Sequence, residues 1–141
     1  MVSPVAQKDW TGAPPIHISV GEEELTDENA IFAQRLAKQG VKVNWEQYEA
    51  MPHCWGLIMA DMETSRVQVQ SFADHIKKFV ERPGDVKTEG TFVVAKSLSR
   101  KTLDLERLTT ISDEEADRRM NESRDLLCKR VDKEGKANPM L

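Results

Sequence analysis

Residues 14–49 place two strand-like runs on either side of one helix-like run, and that order leaves few folds open. In "APPIHISVG", Pro14 and Pro15 open a short buried strand, Ile16, Ile18 and Val20 fill it, and Gly21 closes it. "EEELTDE" follows as an acidic turn. Residues 28–39, "ENAIFAQRLAKQ", put Ala30, Ala33 and Ala37 on one stripe with Phe32 and Leu36 beside it, which predicts a helix. Asp27 is its expected N-cap and Gly40 its expected C-cap. "VKVNWEQYE" then alternates, with Val41, Val43 and Trp45 on one face and Lys42, Asn44 and Glu46 on the other, the pattern of a second strand. Strands separated by a helix imply parallel pairing and an α/β fold.

Parallel pairing decides where the polar loops go. Both the acidic turn and "YEAMPHCWG" (48–56) directly follow a strand, so both fall on the carboxyl edge of the sheet, where function gathers in open α/β folds. Adjacent strands lie about 5 Å apart. One strand thus delivers a carboxylate and its neighbour an imidazole, His53, to one place. Together these are the acid–base part of a nucleophilic triad. Taken alone, His53 reads as an ordinary loop histidine and the glutamates as a solvated turn. A metal site from Glu22, Glu23, Glu24 and His53 is a further reading that donor chemistry allows.

The residues "GAPPIHISVGEEELTDENAIFAQRLAKQGVKVNWEQYEAMPHCWG" resemble the C-terminal part of an α/β-hydrolase of the hormone-sensitive-lipase-like group, the esterases with an HGG oxyanion motif and a G-x-S-x-G nucleophile elbow. The resemblance spans about residues 2–81. It implies that the triad acid stands four residues before the Asp of the D-E pair, which is Glu23 here, where the family usually has Asp. The His of its M-P-H turn corresponds to His53, acting as general base and then general acid. Glu22, Glu24 and Asp27 remain rivals for the acid. The resemblance implies a small-molecule ester substrate and no cofactor or metal.

The chain departs from that family in one respect that bears on chemistry. It contains no G-x-S-x-G and no HGG. The nucleophile and the oxyanion donors are expected to lie in an N-terminal half outside these residues. Cys54, next to His53, reads as a packed, inert thiol, since adjacent residues rarely aim at one point. Ser65 and Ser71 sit on a helix rather than a strained elbow, and His17 and His75 read as structural.

Residues 61–81 predict a long amphipathic helix, with Met62, Val69, Phe72, Ile76 and Phe79 at helical spacing. The expected division is therefore a partial hydrolase domain over 1–81 and a mostly helical extension over 82–141. In the extension, "RPGDVKTEG" reads as a charged linker and "TFVVAKS" as one short strand. "ISDEEADRRMNESRDLLCKRV" reads as a helix opened by a capping box of Ser112 and Glu115, with Ala116, Met120, Leu127 and Val131 as its apolar stripe. The last ten residues are expected to be disordered. The extension reads as a surface appendage or, more sharply, as a partner-docking helix.

A net charge of −4 gives no footprint for nucleic acid or anionic membrane. No apolar run is long enough to span a bilayer, no leader is evident, and two distant cysteines fit a reducing, cytoplasmic setting. Two buried parallel strands need neighbours. The chain is therefore expected to meet a separate N-terminal partner, to self-associate through an unpaired edge, or to belong to a longer product. Two functions compete. One is a carboxylic-ester hydrolase completed from outside. The other is a non-catalytic hydrolase remnant or interaction module, which by the same resemblance could come from a secondary-metabolite gene cluster.

Overall fold

The computed structural model describes residues 3–137. Its centre is a four-stranded sheet in the order β1 (Ile16–Val20), β2 (Val43–Tyr48), β3 (Glu89–Val93), β4 (Arg100–Leu103). β1, β2 and β3 run parallel, and β4 returns antiparallel to β3. The register Ile16↔Val43 through Val20↔Gln47 brings the carboxyl ends of β1 and β2 to one edge, as the strand–helix–strand pattern predicts.

The helix α1 (Thr26–Lys38) crosses between β1 and β2 and covers one face of the sheet. Ala30, Ala33 and Leu36 are fully buried against Ile18, Val20, Val43 and Trp45. The alanines let the helix lie close to the strands. Gly40, at φ +81°, closes α1 as expected, its N–H reaching the Ala37 carbonyl while Val41 N–H reaches Leu36. The N-terminus differs from expectation. Asp27 lies inside the helix, and its carboxylate accepts from Thr109 Oγ1 at 2.7 Å instead of capping.

The opposite face is polar and is nevertheless buried. Asn44 and Glu46 are 1% and 2% exposed, because β3 pairs with β2 and the helix α3 (Glu63–Glu81) lies across them. Glu46 accepts from Ser71 Oγ at 2.7 Å, Tyr48 Oη at 2.8 Å and an Arg100 nitrogen at 2.6 Å. Burial pushes its carboxyl up, and the hydrogen bonds from Arg100, Ser71 and Tyr48 outweigh that and hold it below the usual glutamate value. Next to this network His17 stacks on His75, ring centroids 4.2 Å apart.

This polar face corrects the reading of α3. The helix meets the sheet through Ser71, which donates to Glu46, and through Val67, which packs on the Tyr48 and Val93 cluster, while most of its predicted apolar stripe is not spent on the core. Val69, Phe72 and Ile76 are 54%, 46% and 51% exposed, Met62 is also exposed, and Phe79 is half-buried. Over His17, Ser19 and Glu46 this sheet face is polar, and Gln68 and Ser71 of the helix hydrogen-bond to it.

The chain after residue 81 joins the same sheet and core. Its expected single strand over 91–97 is instead β3, beginning at Glu89, and "RPGDVKTEG" buries Val86. β4 was not expected. The helix α4 (Asp113–Ala137) starts with Ser112 Oγ accepting from Glu115 N–H, but the Glu115 carboxylate turns to Arg118 and Arg119, so only half of the capping box forms. Its first turns are pinned to α1, since Arg35, 7% exposed, reaches Asp113 and Asp117, and Ala116 packs on Ile31 and Val5. Backbone helix continues to Ala137, through residues expected to be disordered; Lys133, Glu134 and Lys136 are good helix formers, and residues 138–141 lie outside the described residues. No described helix is long and apolar enough to cross a membrane.

The buried histidine makes acid stability testable. Burial and, next, repulsion from His75 and Arg100, opposed by Glu46, push His17 down to about 4. The unfolded chain, with an ordinary histidine near 6.5, therefore binds the extra proton first. The His17 contribution is complete above about pH 6.5 and is lost as the pH falls towards 4, a change of about 3 kcal/mol at most. Urea unfolding at pH 7.5 and pH 4.5 should show a lower midpoint in acid, and His17→Phe should remove most of that difference.

Candidate active site

The candidate site is built by two turns at the carboxyl edge of β1 and β2. Gly21 ends β1, and Glu22 donates its backbone N–H to the Met51 carbonyl at 3.0 Å. The Glu22 carboxylate accepts from Ala50 N–H at 2.9 Å. Glu22 thus ties the first turn to the second at two points. Thr26 Oγ1 accepts from Glu23 N–H at 3.0 Å and donates to the Gly21 carbonyl at 2.9 Å, so the first turn is also closed on itself.

On this frame the Glu23 carboxylate meets His53. Oε1 lies 2.8 Å from Nδ1. The carboxylate is mostly enclosed, at 16% exposure, and the imidazole is mostly open, at 62%. A carboxylate accepts, so Nδ1 carries the proton and the lone pair of the neutral ring is left on Nε2. That tautomer suits a base that removes a proton from an incoming hydroxyl.

The second turn is strained. Ala50 and Cys54 have φ of +54° and +56°, in the left-handed region that disfavours side chains. Cys54 leads into the single-turn helix α2 (Trp55–Ile58), its carbonyl accepting from Leu57 and Ile58 N–H. Trp55 anchors the turn by packing on Tyr48, ring centroids 5.0 Å apart, among Met51 and Val93. The imidazole is therefore carried between two fixed points, the Met51 carbonyl and the buried Trp55.

His53 and Glu23 open on a cleft of about 450 Å³ walled by Ser19, Trp55, Leu57, Gln68, Val69 and Phe72, among others. Cys54 also lines it and is exposed, which corrects the expectation of a packed thiol. Ser65 is buried and donates to the Met59 carbonyl, and Ser71 is committed to Glu46. Of the rivals for the acid, Glu22 serves Ala50, Asp27 serves Thr109, and Glu24 is exposed. Among the described residues no group of three or more His, Cys, Asp or Glu side chains could hold a metal ion.

The positioning residues Gly21, Glu22, Thr26 and Ala50 were not singled out from the sequence for this work. Gly21 had a signal: a glycine at the junction of a strand and a functional turn often marks close backbone approach. Ala50 had none, since alanine does not advertise a positive φ.

A family model described as alpha/beta hydrolase fold matches residues 1–57, which take in β1, α1, β2 and both turns of the site. No curated protein and no solved structure matches the chain. The mixed sheet with its flanking helices is consistent with a partial α/β-hydrolase fold, continued by β3, β4 and α4 beyond the matched residues.

Gly21 carries the geometric requirement of the site. A Cβ built there would sit 1.9 Å from the Met51 carbonyl oxygen, a backbone atom that cannot swing aside. Gly21→Ala should force the two turns apart and cost about 1–3 kcal/mol in urea unfolding. The long-range ¹⁵N–¹H spectrum of His53 should then lose its preference for the Nδ1–H tautomer.

Proposed function

We propose that this chain supplies the acid and base of a serine-type carboxylic-ester hydrolase of the hormone-sensitive-lipase-like group, with the nucleophile and oxyanion donors coming from polypeptide outside these 141 residues. The observation that carries the reading is the 2.8 Å contact between Glu23 and His53 Nδ1 at the shared carboxyl edge of two parallel strands. The hydrolase-type match over the same residues supports it.

In the proposed reaction, His53 Nε2 takes the proton of an attacking serine hydroxyl and returns it to the departing alcohol. Glu23 holds the tautomer and the ring plane, and its charge stabilises the imidazolium that forms. Glutamate in place of aspartate is one methylene longer, and the Thr26 contact to the Glu23 backbone fixes where that longer arm starts. Attack on the acyl carbon also needs hydrogen-bond donors for the oxyanion. These belong with the serine. The substrate in this reading is a small ester, and two exposed, unpaired cysteines, Cys54 and Cys128, fit a reducing compartment such as the cytoplasm.

The test is hydrolysis of p-nitrophenyl acetate and butyrate. The 141-residue chain alone should show no turnover above background. Joined to the polypeptide encoded directly upstream, or expressed with it, the chain should become active. In that assembly His53→Ala and Glu23→Gln should each lower kcat on the order of 10³–10⁴-fold, the glutamine by favouring the wrong tautomer. An active assembly indifferent to His53→Ala overturns the proposal. An assembled protein with no turnover on any ester favours the non-catalytic hydrolase remnant.

A further inference from the structure

We infer that the β3–β4 turn, residues 94–99, is a positioning element for His53, and that Leu98 and Glu49 are the two points at which it grips the turn carrying the imidazole. The inference rests on the acid–base reading of Glu23 and His53 for what the ring does, and on this chain's own contacts for how the ring is held. The hydrolase-type match ends at residue 57, so it assigns the β3–β4 turn no part in the site.

Hydrogen bonds make the first grip. Glu49 follows β2 and leads into the second turn. Its N–H donates to the Val93 carbonyl at 3.0 Å, and its carboxylate accepts from Ala95 N–H at 2.8 Å. One residue on, Ala50 N–H donates to Glu22. The second turn is thus held from the β1 side by Glu22 and from the β3 side through Glu49. A turn tied on one flank can still rock about it, and ties on both flanks remove that motion.

Packing makes the second grip. Leu98 rests on the buried cluster of Tyr48, Met51, Trp55 and Val93. Three of these, Tyr48, Met51 and Trp55, belong to the chain on either side of His53. Tyr48 is fixed again at its hydroxyl, which donates to Glu46, and Glu46 also takes Arg100 of β4. Val93 on β3, Leu98 in the turn and Arg100 on β4 therefore all bear on the base of the His53 turn.

The backbone of Leu98 shows that this contact is kept against strain. Its φ of +55° lies in the left-handed region, where glycine or asparagine would sit more easily. The turn closes through Leu98 N–H on the Val94 carbonyl at 2.8 Å and Val94 N–H on the Ser99 carbonyl at 3.0 Å. A glycine or asparagine could make both bonds as well. What a large apolar side chain adds at 98 is the contact with the cluster under the His53 turn. Backbone strain retained beside a functional turn points to a positioning role.

The experiment uses the full 141-residue chain with no ester present, so its outcome does not depend on turnover. Long-range ¹⁵N–¹H spectra, in buffer alkaline enough to deprotonate histidine, read the ratio of Nδ1–H to Nε2–H tautomer at His53. Loss of the signals in His53→Gln assigns them, and urea unfolding reads stability alongside. Leu98→Asn suits the left-handed backbone and removes the apolar contact. It should keep the urea midpoint near that of the parent chain and lower the tautomer ratio at least about fivefold. Leu98→Met, which keeps the contact, should leave the ratio unchanged. Glu49→Ala should lower the ratio at least about fivefold, and Glu49→Gln, which keeps an acceptor oxygen, should restore most of it. Val86→Ala, at a buried site after residue 81 but outside the cluster, should lower the urea midpoint and leave the ratio unchanged. A ratio indifferent to Leu98→Asn or to Glu49→Ala overturns the inference. An equal fall in Val86→Ala also overturns it, since any loosening of the chain after residue 81 would then suffice. The expected falls, in a chain whose assembly hydrolyses no ester, keep the positioning role and refute the catalytic reading. Esterase activity that needs His53, with a ratio that ignores either variant, does the reverse.

Discussion

The close approach of two turns at the end of a parallel strand pair is the constraint on which the rest of this site depends. Parallel pairing puts the ends of β1 and β2 side by side, but strand spacing alone leaves two flexible loops. What joins them is Glu22, bonded through its N–H to Met51 and through its carboxylate to Ala50, across a gap that only a glycine at 21 leaves open. The Glu23–His53 contact is a consequence of that clamp. A carboxylate–imidazole contact whose imidazole is 62% exposed contributes little to stability, typically under about 1 kcal/mol. Such a pair could not hold two loops together by itself. Orientation is therefore supplied by the backbone clamp, and the side chains are left to chemistry.

The two faces of the sheet follow different physics, and the difference explains why the molecule has an unpartnered side. Under α1 the core is aliphatic and aromatic, and burial does the holding. Under α3 it is a polar band, held by hydrogen bonds and charge, in which Glu46 takes three donors from three different elements. Buried polar networks of this kind are stable only when satisfied. Glu46 is satisfied, while His17, at the outer strand, is not. The orphan nitrogens, the open strand edge and the exposed stripe of α3 coincide on β1, and no comparable coincidence occurs at the other end of the sheet. There β3 and β4 have already closed the flank of β2, and Arg100 on β4 reaches back to Glu46.

Much of this was legible in the sequence, for reasons that can be stated. Ile16, Ile18, Val20 and the alternation of Val43 and Trp45 report strand period directly, and a helix between them forces parallel pairing. From that alone Glu23 and His53 share an edge. Choosing Glu23 from its neighbours took the family resemblance, and the structure shows the physical basis for the choice in the separate partners of Glu22 and Asp27. The α3 stripe misled because amphipathic period says that a helix has an apolar face and says nothing about whether a partner covers it. β4 was invisible because "RKTL" is an edge strand with no apolar alternation, reached through a turn whose left-handed residue is Leu98 instead of glycine or asparagine. Glu46 looked like the solvent side of a half-buried strand until β3 and α3 closed over it.

The division of labour inside the site bears on how such a pair keeps its geometry. A histidine held only by its carboxylate would drift, because nothing else would order the turn. Here the turn that carries His53 is anchored at both ends by groups with no part in proton transfer, the Met51 carbonyl on one side and Trp55, 4% exposed, on the other. Glu23 is likewise fixed through Thr26 and its own turn. The geometry of the Glu23–His53 pair is thus a property of this chain's own fold. The imidazole is held with Nδ1 turned to Glu23 and Nε2 left free, and in the proposed reaction such preorganisation would spare a conformational step.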